Sequence, residues 1–335
     1  MAGVDVVIPC YQYGRFLREC VASVLSQAMP DTRVLIIDNA STDDSVEIAH
    51  RLAEADRRIS VIAHKTNLGA TASINEGIEW ASADYFVLLD ADDLLAPGCL
   101  ARALLLMEAN PDIAFTYGLE ATISTADAAS ALDAIPQQAE WNIISGRAYV
   151  EHACHYPRNY VGAPTVVRRT SAQKQVGLYR PELPYSDDLE MWLRLATAGS
   201  VASTKAVQGI RRVHALQMSE DYRSSMVRDF VEREAAFKSF FANEGRALPN
   251  ADALLKQAKR NLGADAYWSA VSHLFRGLRS DGLELFKFSL RRRPSAAIFP
   301  PIGWLSRMHR PLGRIGEVLL EAGRRLKPNG SSARG

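Results

Sequence analysis

The sequence predicts an α/β protein with a doubly wound, mainly parallel sheet and a helical C-terminal extension. Two observations carry this expectation. Through the first 117 residues, short apolar runs alternate with segments of helical period, the signature of strands connected by crossover helices. After about Ser219 the pattern turns helical to the end. The chain of 335 residues divides accordingly into a catalytic-sized region, 1–219, and a basic helical region, 220–335.

The elements follow in order. Val4–Pro9 is an apolar run expected to be a strand buried on both faces. Phe16, Leu17, Cys20, Val21, Val24 and Leu25 then recur at helical spacing before Pro30. Val34–Ile37 is a second strand, closed by Asp38-Asn-Ala-Ser-Thr42, and the helix after it carries Val46, Ala49, Leu52 and Ala53. Ile59–Ala63 is a third strand, followed by a turn and a helix through Ile74, Ile78 and Ala81. Tyr85–Leu89 is a fourth, ending in Asp90-Ala-Asp-Asp93. Pro97 opens a helix through Leu100, Leu104 and Met107, and Ile113–Tyr117 is a fifth strand. Residues 118–141 lack a period and are expected to be irregular. Asn159–Arg169 is expected to be a strand, Leu189–Thr197 a helix with Asp187 and Glu190 as a capping-box variant, and Ala206–His214 extended chain.

Composition excludes several classes. A hydrophobic share of 47% with 23% charged residues is that of a globular protein, not a disordered one. The four cysteines, Cys10, Cys20, Cys99 and Cys154, lack metal-ligand or redox spacing and are expected to be reduced and buried. The start of the chain has no secretory pattern, and no apolar run reaches the ~20 residues of a spanning helix. A cytoplasmic protein is expected, without a nucleic-acid partner. Its net charge of +1 hides an asymmetry: residues 251–335 hold sixteen Lys+Arg against six Asp+Glu, whereas 1–250 hold 23 against 32. A basic end on an acidic body suggests a second role at an anionic surface.

Ligands of such sheets bind beyond the carboxyl ends of the strands, where Pro9–Tyr11, Asp38–Asn39, His64–Gly69 and Asp90–Asp93 all fall. Asp90 and Asp92, two apart on extended chain, would face the same way and converge on one cation. Hard divalent ions such as Mg²⁺ or Mn²⁺ take oxygen ligands and complete their shell with phosphates. The plainer alternative is that Asp92 or Asp93 caps the next helix. Tyr11 could stack on a base, or simply sit half-buried in a turn. Asp38 could accept a base N–H, or form an Asx-turn feeding a helix capped by Ser41 or Thr42. Asn67-Leu-Gly69 is most simply a turn in which glycine supplies a positive φ.

Together these stretches resemble glycosyltransferase family 2. Val6-Val-Ile-Pro-Cys-Tyr11, Ile36-Ile-Asp-Asn-Ala-Ser-Thr-Asp43, Asn67-Leu-Gly69 with Asn75-Glu-Gly77, and Phe86-Val-Leu-Leu-Asp-Ala-Asp-Asp93 occur in the family's order and spacing. The resemblance covers about residues 3–220. It implies a GT-A fold, a UDP-, GDP- or dTDP-sugar donor and a hydroxyl acceptor in cell-surface glycan, polysaccharide or glycolipid synthesis. It further implies Pro9, Tyr11 and Asp38 around the base and ribose, Asp90 near the ribose, and Asn67 and Gly69 among the donor-binding residues. Asp92 would bind Mn²⁺ or Mg²⁺, with Asp93 an alternative ligand and His214 reaching the metal or diphosphate. Tyr185-Ser-Asp-Asp-Leu-Glu-Met-Trp192 looks like the family's acidic pair, which makes Asp188 the catalytic base of an inverting transfer; Asp187 replaces the usual Glu. One departure is Ser73-Ile-Asn75 where many relatives carry Ala-Arg-Asn, which bears on donor choice. Competing readings are a nucleotidyltransferase, for which only Gly14-Arg15 stands in the Arg-containing loop, and a non-catalytic nucleotide-sugar-binding or scaffold protein.

The end of the chain lies outside this resemblance. Arg291-Arg-Arg293 precedes the apolar stretch Ile298–Leu305 with Trp304. Leu312, Ile315, Val318, Leu319, Ala322 and Leu326 then form a stripe beside Arg314, Arg324, Arg325 and Lys327. Trp beside cations on an amphipathic segment suits peripheral contact with the inner face of a membrane and a lipid-linked acceptor. The alternative is that these helices pack on the preceding domain and present a solvated basic face.

Overall fold

The computed structural model describes residues 2–27, 29, 31–124, 139–214 and 226–307, and strand β1 (Val4–Cys10) lies at its heart. β1 pairs in parallel with β2 (Thr32–Asp38) on one side and β4 (Tyr85–Leu88) on the other, and β3 (Ile59–Ala63) extends the parallel half beyond β2. Past β4 the directions mix. β8 (Val167–Arg169) is antiparallel to β4 and to β6 (Ile113–Ser124), which runs parallel to β9 (Ser200–Val213). β5 (Leu94–Leu95) and β7 (Trp141–Ile144) pair antiparallel with β9. The order is β3-β2-β1-β4-β8-β6-β9-β5.

Side chains alternate across this sheet with period two. Val4, Val6, Ile8, Val34, Ile36, Tyr85 and Val87 join one cluster with the helices α1 (Gly14–Leu25), α2 (Ser45–Ala55) and α4 (Cys99–Ala109). Val7, Leu35, Ile37, Phe86 and Leu88 join the opposite cluster, with α3 (Ala70–Trp80), α5 (Gly146–His155), α6 (Thr170–Val176) and α7 (Asp187–Leu195). Both faces are covered, which is why Val6–Pro9, Val34–Ile37 and Tyr85–Leu88 read as unbroken apolar runs. All four cysteines are free and buried in these layers.

Four local expectations are corrected. β6 continues to Ser124, because β9 supplies hydrogen-bond partners along its length whatever its side-chain period. Residues 159–166 are not strand: a 3₁₀ turn at Ala163–Thr165 leads into β8, only three residues long. Helix α2 starts at Ser45, whose N–H meets Asp43 Oδ1 at 3.1 Å, so neither Ser41 nor Thr42 caps it. Helix α7 has no side-chain cap; Glu190 is buried in an ion cluster instead.

Three helices complete the described chain: α8 (Met226–Ala242), α9 (Ala251–Phe275) and α10 (Arg279–Arg292). Phe230, Phe237, Phe240 and Phe241 of α8 join the cluster containing Trp192 and Tyr149. Asn261 of α9 donates to the Cys154 and His155 carbonyls at 3.1 Å, tying it to the end of α5. The expected boundary after residue 219 and the stripe from Leu312 to Leu326, with Arg314, Arg324, Arg325 and Lys327, lie outside the described residues. Trp304 is 6% exposed, packed inward rather than presented to an interface. Among the described residues no helix is long and apolar enough to cross a membrane.

The joint between α7 and α8 is ionic as well as apolar. Glu190, fully buried, pairs with Arg180 and, at 2.8 Å, with Arg194; Arg180 reaches Ser239 Oγ at 2.8 Å and Glu244 at 2.7 Å. Removing one partner of a buried pair strands the other's charge at a cost of about 3–5 kcal/mol. Glu190→Ala should therefore lower the unfolding free energy by about that amount, measured by urea denaturation. An unchanged midpoint would mean that Arg194 and Arg180 are satisfied without it.

Candidate active site

The carboxyl ends of β1, β2 and β4 meet in one place because the strands are in parallel register, Cys10 opposite Asp38. Beyond β1 the chain turns through Gln12, whose N–H donates to Ser41 Oγ at 2.9 Å. This pins the loop and leaves Tyr11 42% exposed, while Pro9 stays in the ladder. Asp38 is fully buried. Its Oδ1 accepts the Ser41 N–H, three residues on, at 2.9 Å, so the loop is not closed by the i+2 bond of an Asx-turn, and its Oδ2 has no hydrogen-bond partner among the described residues. An unsatisfied buried carboxylate oxygen costs free energy unless a ligand's donor meets it.

Asn67 and Gly69 serve the neighbouring turn. Asn67 Oδ1 accepts from Asn39 Nδ2 at 3.0 Å and from the Gly69 N–H at 2.9 Å, and Gly69 takes φ +88°, as its residue type implies. Asn39 Oδ1 accepts from the Leu68 N–H at 2.8 Å and lies 3.1 Å from His64, which meets Glu76 at 2.7 Å. The Asn75-Glu-Gly77 stretch thus has three tasks. Asn75 exchanges two hydrogen bonds with the Tyr179 backbone, at 2.7 and 2.9 Å, and Glu76 holds His64. Gly77 lies where a Cβ would come within 2.3 Å of Val7.

β4 stops at Leu88, so Asp90–Asp93 is a turn rather than extended chain, with the Asp93 N–H donating to the Asp90 carbonyl at 2.9 Å. The turn does more than an i, i+2 pair could: carboxylate oxygens of Asp90, Asp92 and Asp93 all lie within 4.8 Å of one another. The end of β9 and His214, just after it, close over the turn. His214 Nε2 lies 2.9 Å from Asp92 Oδ2, its ring against Phe16 and Tyr13. Arg212 gives its N–H to Asp93 Oδ1 at 3.0 Å and its Nε–H to the Asp92 carbonyl at 3.1 Å. Asp92 and Asp93 therefore cap no helix; α4 begins after Gly98. Enclosure by protein, then the charges of Asp92, Asp188 and Glu120, pushes the Asp90 carboxyl up to about 7, although its surface still meets solvent. Burial, then the charges of Asp90 and Asp92, raises Asp93 as well, against the Arg212 N–H. Three hard oxygen donors with so little cationic compensation fit a divalent ion.

Asp188 lies in the first turn of α7, near enough to add to the field at Asp90. Its Oδ1 accepts from the Tyr179 hydroxyl at 3.2 Å. Burial raises its carboxyl above the ordinary range, while Arg168 and the Tyr179 hydrogen bond oppose that rise. Arg168 is wholly buried, about equally spaced between the Phe86 and Trp192 rings at 5.0 Å, with Nη1 2.8 Å from Gln173 Oε1. Burial, then Asp188, drives Asp187 further up.

Sequence reasoning passed over Arg212, Tyr179, Arg168 and the clamp made by Asn75. Only Arg212 left a usable signal: on a strand it shares a face with His214, whereas Arg211 points away to Glu120 at 2.8 Å.

Residues 5–170 match the model of glycosyl transferase family 2. The chain belongs to glycosyltransferase family 2. This glycosyltransferase is 24% identical over 221 residues to an uncharacterized glycosyltransferase of Haemophilus influenzae, covering 65% of this chain and 68% of the relative. It is 27% identical to the putative teichuronic acid biosynthesis glycosyltransferase TuaG of Bacillus subtilis, over 69% of this chain and 87% of that one. Of some other relatives it spans less than half: 46% of a second H. influenzae glycosyltransferase and 31% of GlyG of Streptococcus pneumoniae. Among solved structures, S. aureus TarS 1-349 in complex with UDP-GlcNAc superposes with TM-score 0.60 at 13% identity, over 96% of this chain and 82% of that one. The mannosyltransferase PcManGT of Pyrobaculum calidifontis, in complex with GDP-Man and Mn²⁺, gives 0.59 at 15%, over 97% and 86%. These likenesses show the fold, GT-A.

Proposed function

We propose that this glycosyltransferase moves a sugar, with inversion, from a nucleoside-diphosphate sugar to a hydroxyl of a cell-surface glycan, polysaccharide or glycolipid acceptor. One observation carries the reading: the three-carboxylate turn Asp90–Asp93 has Asp188 near enough to add to the charge felt at Asp90. The UDP-GlcNAc and GDP-Man complexes of the fold's other members support the donor class. In this reading Pro9, Tyr11 and Asp38 border the base and ribose, with Asp38 Oδ2 taking the donor N–H it lacks. Asn67 and Gly69 shape the turn beside it, and Asp90 lies at the ribose. Mn²⁺ or Mg²⁺ would be held by Asp92 and Asp93, with His214 a further ligand, and when bound would counter the charge of the departing diphosphate. Asp188 accepts the acceptor hydroxyl's proton as its oxygen attacks the anomeric carbon and the bond to the diphosphate breaks. Tyr179 orients Asp188, and the Arg168 charge favours its anionic form against the effect of burial. The likeness to TuaG, named a putative teichuronic acid biosynthesis glycosyltransferase, supports an acceptor in a surface polymer, met at the inner face of a membrane if lipid-linked.

Asp38→Asn tests the base contact. Asn keeps the shape and can still accept from Ser41, but offers an amide where the unpartnered oxygen stood. Hydrogen bonds to charged groups are worth about 1.5–3 kcal/mol, so the donor KM should rise about 10–100-fold with kcat little changed. A lowered kcat at unchanged KM would remove Asp38 from the donor site.

A further inference from the structure

The C-terminal helices border two adjoining cavities, of about 700 and 470 Å³. Lys256, Arg260 and Arg293 line both, and Lys259, Arg291 and Arg292 line the larger. Two acids face the larger one, Glu234 and Asp252, and Glu234 is already paired with Arg292 and, at 3.4 Å, with Lys238. The cavities are therefore strongly positive. Residues 294–304 bridge them, Pro294 and Ser295 in the wall of one and Gly303 and Trp304 in the wall of the other. This bridge is a built element. Ala296 and Trp304 are buried, Trp268 Nε1 donates to the Pro301 carbonyl at 3.0 Å, and the Phe299 N–H donates to the Ser295 carbonyl at 2.8 Å. Between these anchors Ile298, Phe299 and Ile302 stand 77%, 71% and 67% exposed.

We propose that this face docks on an anionic lipid bilayer, with headgroup phosphates in the basic cavities and Ile298, Phe299 and Ile302 inserted at the acyl boundary. An apolar prong flanked by cations meets both parts of an interface: polybasic surfaces bind anionic headgroups and apolar side chains partition beneath them. The remaining chain is a poor occupant, since residues 308–335 carry six Lys+Arg against two Asp+Glu and have the same sign as the cavities. The inference deepens the reading of a membrane-borne acceptor, and it stands on residues apart from the Asp90–Asp93 turn and Asp188.

Co-sedimentation of the full chain with vesicles tests it, using equimolar phosphatidylglycerol and phosphatidylcholine against phosphatidylcholine alone. Binding should require phosphatidylglycerol and weaken with salt. Two full-length variants should each lower it at least about tenfold: Ile298→Ser/Phe299→Ser/Ile302→Ser, which removes the prong, and Lys256→Glu/Arg260→Glu, which reverses two charges common to both cavities. Both should keep the wild-type melting temperature and donor turnover without vesicles, so that loss of docking is read separately from failure of the donor reading. Equal binding to both vesicle types, or undiminished binding by both variants, would overturn the proposal. So would stabilisation by inorganic pyrophosphate without vesicle binding, which would make the cavities a site for a free anion.

Discussion

Replacing Asp188 by Asn should lower transfer by at least about 10²-fold, the low end for losing a general base, while leaving donor affinity and folding intact. Asn occupies the same volume and presents an oxygen to the Tyr179 hydroxyl, which lies 3.2 Å from Asp188 Oδ1 in the native chain. It cannot take the acceptor's proton. The position is prepared for that proton by two opposing influences. Burial raises the carboxyl above its ordinary range, and the buried guanidinium of Arg168 with the Tyr179 hydroxyl restrains the rise. A carboxyl whose proton affinity is raised by burial is a better base than an exposed one. Donor affinity measured by titration, with transfer measured under saturating donor, separates the roles. A variant that binds donor and transfers normally would make Asp188 a structural residue at the start of α7.

Much of the parallel half of this fold is legible in the sequence because its strands are buried on both faces. Val6–Pro9 and Tyr85–Leu89 are apolar whichever way a side chain points, and the acids that follow them must fall at the carboxyl edge. The mixed half is not legible in this way. β8 is three residues long and owes its existence to a slot between β4 and β6, which no local period can reveal. Residues 118–124 look irregular alone and become strand only against β9. The site follows the same rule. Asp38, Asp90, Asp92 and Asp93 announce themselves by position, whereas Arg168 and Tyr179 reach Asp188 through packing of α7 against β8 and the segment after α6. Glu190 reads as a helix cap by spacing, yet the structure gives it Arg180 and Arg194, because a buried carboxylate needs charged partners more than a helix start needs a cap. Trp304 beside basic residues reads as interfacial, but Ile298, Phe299 and Ile302 take the exposed positions.

Asp92→Asn should abolish metal-dependent use of the donor. The substitution preserves size and leaves an oxygen toward His214, whose Nε2 lies 2.9 Å away, so the turn should keep its shape. It removes one of the negative charges that Asp90, Asp92 and Asp93 hold within 4.8 Å, and with it the affinity for a hard divalent ion. Losing one group that stabilises charge in the transition state costs about 10²–10³-fold in rate. Chelation should match the mutation, since both take the cation from the diphosphate. The direct measurement is release of nucleoside diphosphate from UDP-, GDP- and dTDP-sugars by the wild-type chain and by Asp92→Asn, each with Mn²⁺ and with excess EDTA. The account predicts release from at least one of these donors by the wild type with Mn²⁺, and release lowered at least about 10²-fold by EDTA or by the substitution. Full release in EDTA, or by Asp92→Asn, would contradict it.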